Sequence, residues 1–137
     1  MDLDSRVNQL LTNFYASFSS GLPTGWEDSL ADDVVVIGTD QAEWLQGKDQ
    51  VVPVLQAQMT EMSEAGMRVE AGERRIGAAG GAVWVADAPT MWLADDTALT
   101  MRLTAVATTD GERLQVKQLH VSVGVPNEDV LRQTLTV

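Results

Sequence analysis

Few side chains in this sequence are equipped to move a proton. They are His120, the chain's single histidine, in the run QVKQLHVSVG, the loop acids Asp40 and Glu43, and Asp87 at the end of AVWVAD. A histidine titrates near neutral pH but needs an orienting partner to act as a base, and no carboxylate stands at an evident orienting spacing from His120. Asp40 and Glu43 flank the loop after the first strand, where partial desolvation next to Trp44 would raise carboxylate basicity. The competing reading is an aspartate closing an Asx turn beside a solvated glutamate. Asp87 shares strand parity with Val83 and Val85, so it is expected to point inward, where an apolar cavity would suit it as an acid or base. Asp40 and Asp87 are therefore the candidate catalytic residues.

Other chemistries find no carrier. The sequence has no cysteine and one histidine, and its acids lack the spacing of a calcium loop, so neither a metal nor a cofactor is expected. Gly80-Gly81 lacks the lysine and spacing of a phosphate loop and reads as a turn. A formal net charge of -11 disfavours nucleic acid and anionic membranes as partners. The uncharged, largely apolar stretch of residues 76–86 is too short to span a bilayer, and the first residues do not look like a signal peptide. With cysteine absent, these features suit a cytoplasmic protein. A length of 137 residues, 45% of them hydrophobic, is enough for one core, and one domain over residues 1–137 is expected.

The elements that must position these residues follow from periodicity. Val7, Leu10, Leu11, Phe14 and Phe18 recur at helical spacing, with Asp4 or Ser5 as cap and Gly21 as stop. Thr24 is expected to cap a short second helix running to about Ala31. Val34–Ile37 reads as a buried strand, and Gly38 and Gly47 bracket a loop. Val51, Val54, Leu55, Met59 and Met62 predict a helix from Lys48 to Gly66 despite Pro53. Residues 67–76, 82–93, 99–109 and 114–125 are strand-like and form an antiparallel meander, and Asn127 is placed to cap a short turn or helix through Leu131. Helices followed by long strands call for an α+β domain whose curved sheet wraps its helices around a cavity.

Alternation along the last two strands puts Leu99, Met101, Leu103, Ala105 and Ala107 inward together with Leu119, Val121 and Val123. Val116, Gln118, His120 and Ser122 then face outward with Arg102 and Thr104. Matching the inward faces requires a three-residue connection around Gly111, which would set His120 near Thr100 and Gln118 near Arg102. The outward face, carrying Arg102, Thr104, Gln118, His120 and Ser122, is the expected homodimer interface.

The element order, with GTDQAEWLQGKDQV over 38–51 and QLHVSVGVPN over 118–127, resembles the nuclear transport factor 2-like superfamily, and within it the SnoaL-like domain proteins. That resemblance implies a cone-shaped α+β fold, commonly dimeric through its sheet. Its functions range from steroid isomerases, cyclases and dehydratases to non-catalytic binding and assembly domains. In ketosteroid isomerase a helix-1 tyrosine and a first-strand carboxylate do the chemistry. Here the tyrosine position falls on Phe14, with Tyr15 adjacent and pointing elsewhere. The carboxylate position falls near Gly38, with Asp40 two residues on. Tyr15, Trp26, Trp44, Leu55, Met59 and Met101 are the expected ligand contacts, since methionines suit an adaptable pocket wall and indoles suit its mouth. The leading expectation is a small, mainly hydrophobic ligand without assigned catalysis. The alternatives are an isomerase, cyclase or hydrolase with a pocket aspartate as base, or an assembly module with a filled interior.

Overall fold

The computed structural model describes residues 2–137. Helix α1 spans Leu3–Ser20 and is capped by Asp2, whose Oδ1 accepts the Ser5 N–H at 2.8 Å. The cap thus lies two or three residues before the expected Asp4 or Ser5, because the apolar repeat reports the buried face and not the first turn. Gly21, at φ 71°, ends the helix as read. The second helix is only a 3-10 turn, Trp26–Ser29, preceded by Gly25 at φ 81°. Thr24 does not cap it; its hydroxyl donates to Asn13 O at 2.6 Å and ties the turn back to α1.

Strand β1 (Leu30–Ile37) begins where that turn ends, and a short β2 (Trp44–Gln46) pairs with it inside the segment expected to be loop. Helix α2 covers Lys48–Glu64 with Pro53 in its second turn. The run 67–76 divides into β3 (Arg68–Glu70) and β4 (Arg74–Ala79), and the run 82–93 into β5 (Ala82–Asp87) and β6 (Thr90–Trp92). Long β7 (Ala98–Asp110) pairs with β6 through its first residues and with β5 through the rest. Strand β8 (Arg113–Val123) lies antiparallel to β7 and parallel to β1, so the sheet is mixed. Its main order is β2-β1-β8-β7-β5-β4, and β3 reaches it through β6. In α3 (Asn127–Leu131), Asn127 is the first helical residue; Pro126 holds the cap position and no side chain caps it.

The β7–β8 hairpin solves its parity problem differently from the three-residue connection anticipated. Asp110 pairs with Arg113 across a two-residue turn with Gly111 at φ 63°. The register then slips between the pairs Val106–Gln118 and Ala107–Val116, which makes Lys117 the extra residue of a β-bulge. Leu114 and Val116 therefore face the core before the bulge, and Leu119 and Val121 face it after. Val116, expected outside, is 1% exposed. His120 pairs with Thr104 and Arg102 with Ser122, not with Thr100 and Gln118.

The helices pack on the concave face, where Leu11, Val34, Val51, Leu103 and Val116 are fully buried. The β5–β6 break is held at close quarters. A Cβ on Gly72 would collide with the backbone carbonyl of Ala88, whereas one on Gly81 would meet nothing, and neither glycine has a left-handed backbone. Gly72→Ala should therefore cost about 1–3 kcal/mol of stability, and Gly81→Ala no more than about 0.5 kcal/mol. Urea unfolding of the two variants checks this, and equal midpoints would contradict the packing described.

Candidate functional site

The β5–β6 break gathers the most concentrated polar chemistry of the described residues. Asp87, 5% exposed, ends β5 directly across from Arg74, which starts β4. Its Oδ2 accepts the Tyr15 hydroxyl at 2.6 Å and Arg74 Nη2 at 3.2 Å, and its Oδ1 accepts the Gly72 N–H at 3.1 Å. Arg74 Nη1 donates onward to Asn8 of α1 at 2.7 Å. The Asp87 side chain is fully buried and that of Arg74 is 14% exposed, so this is an interior ion pair with added hydrogen bonds, the arrangement such a pair needs to be tolerated. Burial first, then the hydrogen bond to Asp87 and its charge, push the Tyr15 phenol above its ordinary 10.0. Tyr15 thus stays protonated, with its proton committed to Asp87.

In front of Tyr15 lies a cavity of about 170 Å³. Its floor is buried and apolar: Phe14, Val36, Leu55, Met101, Leu103 and Leu119. Phe14 stands edge-on to Phe18 and to Trp26, separating the cavity from the indole behind it. The rim is less buried and carries Thr39, Glu43, Gln58, Met62 and Met91. No Lys, Arg or His lines it.

Glu43 reaches the rim because the preceding turn is closed on itself. Gly38 N–H donates to Glu43 O at 2.9 Å, Glu43 N–H to Asp40 O at 2.9 Å, and Ala42 N–H to Asp40 Oδ1 at 2.8 Å. The Glu43 side chain folds over Gly38, where an added Cβ would collide with its carboxylate. Asp40 is exposed and does not line the cavity; its carboxylate closes the turn, which corrects its assignment as a cavity base. Asp87 is inward as expected, but it sits behind Tyr15 with both oxygens occupied, so it too is corrected from base to scaffold.

Among the expected ligand contacts, Tyr15, Leu55 and Met101 line the cavity. Tyr15 and Phe14 both do so, because two successive helical positions fit the width of the buried face, so Tyr15 does not point elsewhere. Three other expectations are corrected. Trp26 is core and borders only a separate void of about 20 Å³. Met59 is buried under α2 away from the cavity, and Trp44 is 61% exposed on edge strand β2. Met62 and Met91 are at the rim instead. Arg102, Thr104, Gln118, His120 and Ser122 all lie on the outer sheet face. His120 makes no side-chain hydrogen bond among the described residues and does not line the cavity. The same residues contain no group of three or more metal-ligating side chains.

A curled mixed sheet closed by helices over an apolar cavity defines the nuclear transport factor 2-like, cystatin-like class of α+β domains. Solved structures share it. A nuclear transport factor 2-like protein of unknown function from Pseudomonas putida superposes with a TM-score of 0.78 at 22% identity, over 96% of this chain and 92% of that one. One with a cystatin-like fold from Novosphingobium aromaticivorans gives 0.75 at 10% identity, over 95% and 88%. An uncharacterised protein from Caulobacter vibrioides gives 0.73 at 14% identity, over 93% and 96%. Such identities establish the fold alone. Residues 7–126 match the SnoaL-like domain, and the chain belongs to that family. No curated protein matches the sequence.

The buried phenol yields a spectroscopic prediction. A group whose pKa is raised by folding stabilises the native state fully below its unfolded value, and that contribution disappears as pH climbs beyond it. Since Tyr15 is the only tyrosine, the folded protein should show no tyrosinate absorbance near pH 10, where an ordinary phenol titrates, and should lose stability above that pH. Tyr15→Phe should lack that excess loss. A normal titration in the folded protein would contradict the Tyr15–Asp87 bond. Asp87→Ala, which strands Arg74, should cost about 3–5 kcal/mol in urea unfolding.

Proposed function

We propose that this protein binds a small, mainly apolar molecule in the cone cavity, and we assign it no catalysis. The observation that carries this reading is the enclosed apolar floor beneath a polar rim, the usual make-up of a small-molecule site. Its size suits a single ring, since cavities of about 150 Å³ lined by aliphatic and aromatic side chains hold benzene. An isomerase or hydrolase working through Asp40 or Asp87 draws no support from their positions. The methionines supply the test. Met62, Met91 and Met101 line the cavity and Met59 does not. Toluene added to protein with labelled methionine methyls should shift the first three signals and leave Met59 unmoved. Uniform or absent shifts would sink the reading.

The proposal extends to a homodimer through the outer sheet face. Paired positions place Trp84 beside Val106, and Val106 and Val35 on either side of Gln118. Trp84 is 48% exposed and lies over Gly77, where a Cβ would strike the ring. In the next row His120 sits between Thr104 and Ile37. This apolar centre with polar surroundings suits a self-complementary contact. Light scattering should give a two-chain mass for the wild type, and Thr104→Arg, which adds one arginine from each chain beside this centre, should give a folded monomer. A monomeric wild type refutes the dimer.

A further inference from the structure

The cavity reading leaves open which end of a ligand faces the rim, and the polar groups there decide it. We infer that the cavity selects an apolar molecule ending in a protonated amine, with the Glu43 carboxylate as its acceptor; this rests on the cavity being a ligand site. The polar groups of the lining are few. Tyr15 donates its O–H to Asp87, so its hydroxyl offers a ligand no donor. Glu43 as a carboxylate can only accept, and its side chain makes neither a hydrogen bond nor an ion pair among the described residues. Thr39 and Gln58 can turn either way. The two groups of fixed polarity therefore both ask for a donor.

Charge points the same way. The lining holds one carboxylate and no cation, and Arg74, the cation nearest the network, is occupied by Asp87 and Asn8. A ligand carboxylate would meet uncompensated repulsion. An ammonium gains a charge-assisted hydrogen bond while remaining partly hydrated, because the rim is only partly buried. Its apolar body meanwhile fills the floor. A formal net charge of -11 adds a field that attracts cations and repels anions.

Gly38 is the structural evidence that the carboxylate position is built in. Its backbone is not left-handed, so conformation does not require glycine there. Space does, because a Cβ at 38 would come within 2.8 Å of the Glu43 Cβ as well as striking its carboxylate, and both residues line the cavity. The Asp40 turn and the missing Cβ together hold Glu43 against the opening.

The test compares three probes of one shape on the full chain at neutral pH: toluene, benzylamine and benzoate, each titrated against the methionine methyl signals. Benzylamine should bind about tenfold more tightly than toluene, and benzoate more weakly than toluene. In Glu43→Gln the benzylamine-to-toluene affinity ratio should fall to about one. Gly38→Ala should lower the same ratio by displacing the carboxylate, and serves if Glu43→Gln fails to fold. Toluene binding without a preference for benzylamine, or a preference that survives both substitutions, overturns the role of Glu43 and leaves the cavity reading intact. Failure of all three probes to bind overturns both.

Discussion

The structure turns on one buried charge. Asp87 is the only fully buried ionisable acid among the described residues, and a carboxylate removed from water must find compensation or neutralise. It finds donors in three separate segments: Tyr15 in α1, Gly72 in the β3–β4 connection and Arg74 in β4. Those bonds fix helix 1 against the end of the sheet. They also mark the place where the sheet divides. Beyond Asp87 the chain passes Ala88 and the buried Pro89, whose carbonyl accepts Met101 N–H at 2.9 Å, and resumes as β6. Proline cannot donate to a ladder, which is the physical reason that the run 82–93, read as one strand, is broken here. Pro89 and Met91, just past the break, become cavity wall.

That anchorage determines what the cavity presents. A free tyrosine at the inner wall would offer a ligand its O–H, as an oxyanion site requires. Here the proton is directed backward to Asp87, and the burial that raises the phenol pKa keeps it there. Structural demand and ligand chemistry are therefore linked: satisfying Asp87 removes a donor from the cavity. Arg74 is withdrawn by the same bond. What remains is an apolar container whose charged group enters from the opposite side, on the turn between β1 and β2.

Much of this frame was legible from periodicity alone. The inward set of β7, the buried face of α1 and the inward Asp87 all follow from counting positions, because a buried face imposes its period on the sequence. The resemblance to SnoaL-like proteins reached the same fold from motifs. What periodicity could not see were events that add or remove a residue. The Lys117 bulge shifts Val116 inward without altering composition, and strict alternation therefore misplaced it. Parity demanded a correction somewhere in the hairpin; nothing in the residue types distinguished a turn from a mid-strand bulge. The same blindness separated Asp40 from Glu43. Both are acids shortly before one aromatic, and only the turn's hydrogen bonds decide that the first closes the loop and the second overhangs the cavity.

Gly38 shows how such a turn could still have been suspected. A glycine at the end of an otherwise β-branched strand is commonly read as a stop signal, and that reading explains its position but not its lack of a left-handed backbone. The geometric explanation is close approach: the missing side chain is replaced in space by the carboxylate of a residue five positions later. Aspartate at 87 is neutralised by a partner across the ladder, while glutamate at 43 has none among the described residues, and the difference arises from backbone context and not from residue type. A strand end directly opposite an arginine leads to an ion pair. A closed turn over a glycine leads to an unpaired carboxylate at an opening. The two acids thus divide the work of the domain, one maintaining its shape and the other setting the charge of the apolar cavity in front of Tyr15.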